Sequence, residues 1–125
     1  MSRKIVTVKK WPEPVAPLSH AVIADNFVFV SGTIGRDPIT GELPTGIVAQ
    51  TRRTLENIKV VLEESGSSLQ QVVRVGVYLR NVSDWPQMNE VYRTFFSTNP
   101  PARSTIQAPV YGDYEVEIDC VALRT

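Results

Sequence analysis

The segment Asn99-Pro100-Pro101-Ala102-Arg103-Ser104-Thr105-Ile106-Gln107-Ala108 marks a change from helix to strand. Its two prolines fix φ and remove two backbone donors, so they end the apolar, aromatic-rich run that precedes them. The residues from Ser104 to Ile106 suit a pleated strand better than a helix. The segment therefore predicts a loop that passes into a strand at Arg103.

Arg103 has two interpretations at this junction. The planar guanidinium presents a fork of donors that matches a carboxylate or a phosphate, which makes Arg103 a candidate anion-binding group of a small-molecule site. Alternatively, Arg103 is a solvated arginine at the start of a strand, as most arginines are surface residues. The segment alone leaves both interpretations open.

The composition excludes several classes of protein. The 125 residues, 42% of them hydrophobic, predict one domain over residues 1–125. The 13 basic and 13 acidic side chains leave no net charge, which argues against capture of nucleic acid and is compatible with an oligomer. The single Cys120 excludes an internal disulfide, and the single His20 leaves a histidine-rich metal site without ligands. The N-terminus predicts neither a signal peptide nor a membrane span, so we expect a cytoplasmic protein.

The first third of the chain predicts strands and a stiff loop. A short strand is expected at residues 5–8, and a hairpin around Asp25-Asn26 joins strands at residues 20–24 and 27–31. Residues 27–30 are apolar on both faces, so we expect this strand to be covered on both sides. It ends at Ser31-Gly32, where the serine either faces a site or bonds to backbone. The loop of residues 11–18, with three prolines, either lines a site or subunit groove or is a spacer.

Two amphipathic helices are predicted. The first spans about residues 46–65 with a left-handed stop at Gly66, and the second begins at Ser83 or Asp84. We expect Asn89 at the edge of the second stripe, bonded to the adjacent loop. The predicted buried stripes consist of Ile47, Thr51, Leu55, Ile58 and Leu62 in the first helix, with Gln50 and Asn57 outside it, and of Trp85, Met88, Tyr92, Phe95 and Phe96 in the second.

Strands at residues 72–79 and 114–123 complete the pattern. In the strand of residues 72–79, alternate residues from Val73 to Leu79 should face the helices. In the strand of residues 114–123, we expect Glu117 and Asp119 on the face opposite the core. From the hairpin onward, the order strand–strand–helix–strand–helix–strand–strand predicts a mixed α+β sheet with both helices on one face. The bare face should be buried by oligomerisation. A carboxyl buried there near an arginine is a candidate proton shuttle.

Ordered segments along the whole chain resemble the reactive-intermediate deaminase family, also called the Rid or YjgF-like family. The run Pro101-Ala102-Arg103-Ser104 is the most specific single signature. The other matching segments are residues 16–22, 30–34, 50–58, 88–92 and 115–122.

This resemblance implies a chorismate-mutase-like α+β fold and a barrel-like homotrimer with clefts between subunits. The implied activity is hydrolysis of short 2-imino acids, tautomers of 2-aminoacrylate or 2-aminocrotonate, to 2-keto acids and ammonia. No metal or organic cofactor, nucleic acid or membrane is expected as a partner. Arg103 matches the arginine that grips the substrate carboxylate, and Glu117 matches a glutamate that places or activates water. Ser31, Gly32 and Asn89 match pocket positions.

The chain departs from the family pattern at the pocket. Leu18 and Ala16 replace the tyrosine and glycine of a Gly-Pro-Tyr motif, and Thr105 replaces a cysteine two residues after Arg103. The pocket therefore loses a phenol and gains an apolar wall, which leaves open a bulkier substrate. A non-catalytic module that binds small carboxylates is the second interpretation. RNA cleavage, suggested by older family names, is disfavoured by the balanced charge and the single His20.

Overall fold

The computed structural model describes residues 2–124, which form one sheet covered by two helices on one side. Short 3₁₀ turns at Leu69–Gln71 and Val82–Asp84 precede the fourth strand and the second helix. From the hairpin onward, the order of elements is the predicted one. The elements are β1 Arg3–Val6, β2 Ala21–Ala24, β3 Phe27–Thr33, α1 Ile47–Glu64, β4 Val72–Leu79, α2 Trp85–Phe95, β5 Ala102–Gln107 and β6 Val116–Leu123.

The strands lie in the order β1-β2-β3-β6-β4-β5. All neighbours are antiparallel except β4 and β5, which are parallel and are joined through α2. α1 packs on β3, β6 and α2, so the core lies between the sheet and the helix layer. The predicted α+β architecture with a mixed sheet is confirmed, and β5, which carries Arg103, is an edge strand.

Helix α1 begins after Gly46 and ends before Gly66, whose φ of 79° provides the predicted left-handed stop. The prediction that Gln50 and Asn57 lie outside the buried stripe is wrong, because both side chains are buried. Asn57 Nδ2 donates to the carbonyls of Ile34 and Arg36, at 3.0 and 2.9 Å. Periodicity treats an amide as a surface group, whereas here the loop backbone satisfies it.

Two further burial predictions are wrong. A bulge between Val72 and Arg74 opposite β6 shifts the alternation of β4, so Val72 is buried and Val73 is 39% exposed. In α2, Trp85 is the first helical residue and is 47% exposed, while Val91 joins the core instead. The other predicted members of both stripes face the core.

The sheet face opposite the helices is not covered by any residue between 2 and 124, and we call it the open face. Phe27 and Phe29 are exposed on it, so the expected covering of β3 on both sides is absent within one chain. Phe29 lies beside Val121 and Phe27 beside Leu123. This row of apolar side chains continues across β3 and β6.

Candidate functional site

Arg103 stacks on the ring of Tyr92 on the helix-covered side of the sheet. It lies in register with Val75 of β4, and its Cζ is 4.7 Å from the centre of the Tyr92 ring. The side chain is half-buried, and no salt bridge joins it to an acidic residue within residues 2–124. Arg103 is therefore a positioned cation that no acidic side chain among residues 2–124 neutralises.

Unsatisfied hydroxyls surround this cation. The Oη of Tyr92 and the Oγ1 of Thr105 are buried and have no hydrogen-bond partner among the described residues. Burial raises the pKa of Tyr92 to about 12, with the charge of Arg103 acting in the opposite direction. Buried hydroxyls without a partner in the protein are rare in a folded chain, and these two lie on the elements that carry Arg103 and its stacking ring.

Asn89 completes this group, one helical turn before Tyr92 on α2. It is half-buried, and the predicted bond to the adjacent loop does not form within residues 2–124. The side chains of Asn89, Tyr92, Arg103 and Thr105 together form what we call the Arg103 half-site. Tyr92 is the member that the sequence did not identify as functional, because its position in the apolar stripe indicated a core residue only.

Glu117 belongs to a second group at the middle of the sheet. It lies in register with Tyr78 on the open face, and its carboxylate packs against the bare Cα of Gly32. A β-carbon at Gly32 would collide with Oε2 of Glu117 and lie 3.0 Å from its Cδ. The glycine is therefore needed to admit the carboxylate. Leu18, Ser31, Gly32 and Glu117 form what we call the Glu117 half-site.

The environment of Glu117 raises the pKa of its carboxyl group. Burial raises the pKa of Glu117, and the neighbouring Asp119 carboxylate raises it further. Asp119 accepts a hydrogen bond of 3.0 Å from the hydroxyl of Tyr78. A carboxyl with a raised pKa, next to a backbone that a ligand can approach closely, is suited to exchanging protons.

Ser31, Gly32 and Leu18 line a cavity of about 430 Å³ that Glu117 itself does not line, although Glu117 contacts Gly32 at its edge. The Ser31 hydroxyl donates to the carbonyl of Ser19, so the structure shows the backbone-bonded alternative for this serine. Leu18 is 49% exposed and lines the same cavity, together with Pro12 and Pro14 of the proline-rich loop.

The two half-sites lie on opposite faces of the sheet. Arg103 shares the helix-covered face with Val75, whereas Glu117 shares the open face with Tyr78, three residues further along β4. One chain alone therefore does not bring the two predicted catalytic residues together.

Comparison with known proteins places the chain in a family. The sequence profile of the family described as Endoribonuclease L-PSP matches residues 8–124. The chain belongs to the L-PSP family. It is 41% identical to a RutC family protein of Pyrococcus abyssi over 99% of both chains. It is 34% identical to the 2-iminobutanoate/2-iminopropanoate deaminase of Rattus norvegicus over 98% of this chain and 90% of the rat protein.

Solved L-PSP family structures share the fold. The TdcF protein of E. coli with bound serine superposes with a TM-score of 0.91 at 32% identity, covering 98% of this chain and 99% of that one. RidA from an Antarctic Psychrobacter gives a TM-score of 0.90 at 36% identity, covering 96% and 98%. The expected Rid/YjgF-like family membership is thereby confirmed.

Residues 2–124 hold neither a metal-binding cluster of side chains nor a membrane-spanning helix. No group of three or more His, Cys, Asp or Glu side chains is arranged to hold a metal ion. Neither helix is long and apolar enough to cross a membrane.

Proposed function

We propose that this L-PSP family member hydrolyses 2-imino acids to 2-keto acids and ammonia. The observation that carries the proposal is Arg103, half-buried over Tyr92 and unneutralised within residues 2–124. A substrate carboxylate would bind the Arg103 guanidinium through bidentate, charge-assisted hydrogen bonds and neutralise its charge. The rat relative's name, an imino acid deaminase, supports the same chemistry.

We propose further that the working site lies between subunits of a homotrimer. The half-sites face in opposite directions, so a cleft that contains both needs Arg103 from one subunit and Glu117 from its neighbour. The exposed Phe27, Phe29 and Leu123 on the open face are the kind of surface that a second copy buries. A cyclic arrangement of three chains repeats this cleft at each interface.

The reaction needs no strong nucleophile. The carbon of a protonated imine conjugated to a carboxylate is electrophilic, so an ordered water adds to it, forming a C–O bond while the C=N π electrons move to nitrogen. The Glu117 carboxylate accepts a proton from this water and returns it to the nitrogen. The C–N bond then breaks as the hydroxyl oxygen forms the C=O bond and Glu117 takes the hydroxyl proton, so that a 2-keto acid and ammonia leave.

Each half-site contributes a separate task. Arg103 orients the carboxylate of the imino acid, and the unpartnered hydroxyl of Thr105 offers a hydrogen bond to water or substrate. Gly32 provides the close backbone approach beside Glu117, and Asn89 offers an amide on the edge of α2. Leu18 supplies an apolar wall beside Ser31 and Gly32.

The decisive experiment is an ammonia-release assay with 2-imino acids generated in place by an amino-acid oxidase. Arg103→Ala is expected to lower kcat/KM by about 30-fold or more, because a charge partner of the carboxylate is lost. Arg52→Ala is the matched control, since Arg52 is exposed on α1 and touches neither half-site. Full activity of Arg103→Ala would contradict the proposal. Binding of a carboxylate by the wild-type chain without faster ammonia release would indicate the carboxylate-binding module instead.

A further inference from the structure

We infer that the cavity beside the Glu117 half-site receives the substrate's side chain and favours branched or aromatic apolar groups over a methyl group. The preferred substrates are then 2-imino acids of the kind derived from leucine or phenylalanine. This inference rests on the proposed function, and it concerns the choice of substrate rather than the reaction.

The cavity has the position that a side-chain pocket requires. It occupies about 430 Å³ between the proline-rich loop, the end of β3 and α1. Ser31 and Gly32 form its edge, and Gly32 touches the carboxylate of Glu117. Glu117 does not line the cavity, so Gly32 is the residue at which the two meet, and an imino acid whose reacting carbon lies over Gly32 would direct its side chain into this space.

The walls of the cavity are apolar and stiff. Three proline rings contribute to the lining, and rings that are already fixed lose little entropy when a ligand is bound. The remaining apolar contacts come from the neighbouring strand end, loop and helix. The apolar residues of the lining are Pro12, Pro14, Leu18, Ile34, Pro38 and Val61.

The neutral polar side chains in the lining already have partners in the protein. The backbone N–H of Val8 donates to Nδ1 of His20 at 3.0 Å, and burial lowers the pKa of this histidine. The Ser31 hydroxyl donates to the Ser19 carbonyl, and the Asn57 amide donates to two loop carbonyls.

The charged residues of the lining are also engaged. Arg36 donates to the Gly41 carbonyl, and its guanidinium lies 5.5 Å from the centre of the Tyr114 ring. Asp37 accepts from backbone N–H groups through Oδ1 and pairs with Arg53 at 3.6 Å through Oδ2. An uncharged polar side chain would lose hydrogen bonds to water against the apolar walls, whereas an apolar side chain would not.

The size of the cavity discriminates among apolar side chains. A methyl group would leave most of the space to water, while a branched or aromatic group fills more of it and removes more apolar surface from water. Each additional methylene that fits an apolar pocket changes kcat/KM by roughly tenfold or more. We therefore expect the leucine-derived imine to exceed the alanine-derived imine by at least about tenfold in kcat/KM.

The test compares the two imines in one assay. Both are formed in place by an amino-acid oxidase with catalase, and semicarbazide traps the imine that the protein has not hydrolysed. A higher kcat/KM for the leucine-derived imine supports the inference. Equal or higher kcat/KM for the alanine-derived imine overturns it and leaves the proposed function standing. Hydrolysis of neither imine overturns the proposed function itself.

A pair of variants locates the preference in the cavity. Leu18→Trp narrows the space and is expected to lower kcat/KM for the leucine-derived imine by about tenfold more than for the alanine-derived imine. Val15→Ala is the control, because Val15 lies in the same loop, is fully exposed and does not line the cavity. An equal loss with both imines in Leu18→Trp would contradict a side-chain pocket at this place.

Discussion

Arg103 and Tyr92 form a stacked pair in which the Tyr92 ring contacts the guanidinium, whereas the Tyr92 hydroxyl forms no hydrogen bond within residues 2–124. The guanidinium Cζ lies 4.7 Å from the ring centre, while the Tyr92 Oη is buried without a hydrogen-bond partner among the described residues. A ring beneath a guanidinium restricts its rotamers and leaves its donor edge available to a carboxylate. Tyr92 is therefore a positioning residue for Arg103.

Replacing Tyr92 separates the effect of the ring from that of the hydroxyl. Tyr92→Leu is expected to raise KM for a 2-imino acid by roughly threefold to thirtyfold, because the cation–π contact of Arg103 is lost. Tyr92→Phe keeps the ring and removes an unsatisfied buried hydroxyl, so its KM should change by less than about twofold and its Tm should not fall. Steady-state kinetics and thermal melting of the two variants provide the measurement. Equal KM values in both variants would contradict a positioning role.

The sequence predicts the architecture well because local patterns decide it. The period-four stripe of α1 and the turn residues Asp25-Asn26 each agree with the sheet and helix layers that form. The errors at Val73 and Trp85 have physical causes: a bulge changes the alternation of a strand, and a helix terminus lies outside the buried stripe.

The candidate site is predictable only in part. The family resemblance identifies Arg103 and Glu117 as site residues. Their placement on opposite faces of the sheet depends on the strand register. No short-range pattern contains that register, because β5 and β6 pair with β4 across long stretches of chain. The role of Tyr92 cannot be inferred from the sequence for a different reason. An aromatic residue in an apolar stripe has the same spacing whether or not a cation stacks on its ring.

Gly32→Ala tests the close packing of Glu117 against the backbone. The added methyl group would collide with the Glu117 carboxylate, which must then rotate away from the reacting carbon. We expect kcat to fall by about tenfold or more, since misplacing a catalytic group by an ångström is costly. Thermal melting should change little, because the displaced atoms are the end of a flexible side chain. Unchanged kcat would show that Glu117 does not act from this position.

The pH dependence of stability tests the environment of Glu117. Burial raises the folded-state pKa of Glu117 above its ordinary value of 4.5, so the folded chain binds this proton more tightly than the unfolded chain. Below pH 4.5 the carboxyl is protonated in both the folded and the unfolded chain, so it adds no pH dependence. As the pH rises from 4.5 through the folded-state pKa, the free energy of unfolding decreases. Glu117→Gln should lack this decrease and gain stability relative to glutamate at neutral pH.

Urea unfolding at several pH values measures this difference. Both chains are compared in an Arg103→Ala background, so that no neighbouring guanidinium at the proposed cleft affects the Glu117 carboxylate. Parallel curves for Glu117 and Glu117→Gln would show that the carboxyl is not desolvated.

Mixed oligomers test whether two subunits share one site. Arg103→Ala and Glu117→Gln should each lose most of the activity alone, because each removes one half of every cleft. If the cleft joins Arg103 of one subunit to Glu117 of the next, then refolding equal amounts of both chains together restores roughly a quarter of the clefts. The mixture should therefore regain about a quarter of the wild-type kcat per chain, with unchanged KM. The control is the same two proteins mixed after separate folding and assayed at once, before subunits can exchange, and it should regain no activity. An inactive co-refolded mixture of confirmed oligomers would contradict a cleft that joins Arg103 of one subunit to Glu117 of the next.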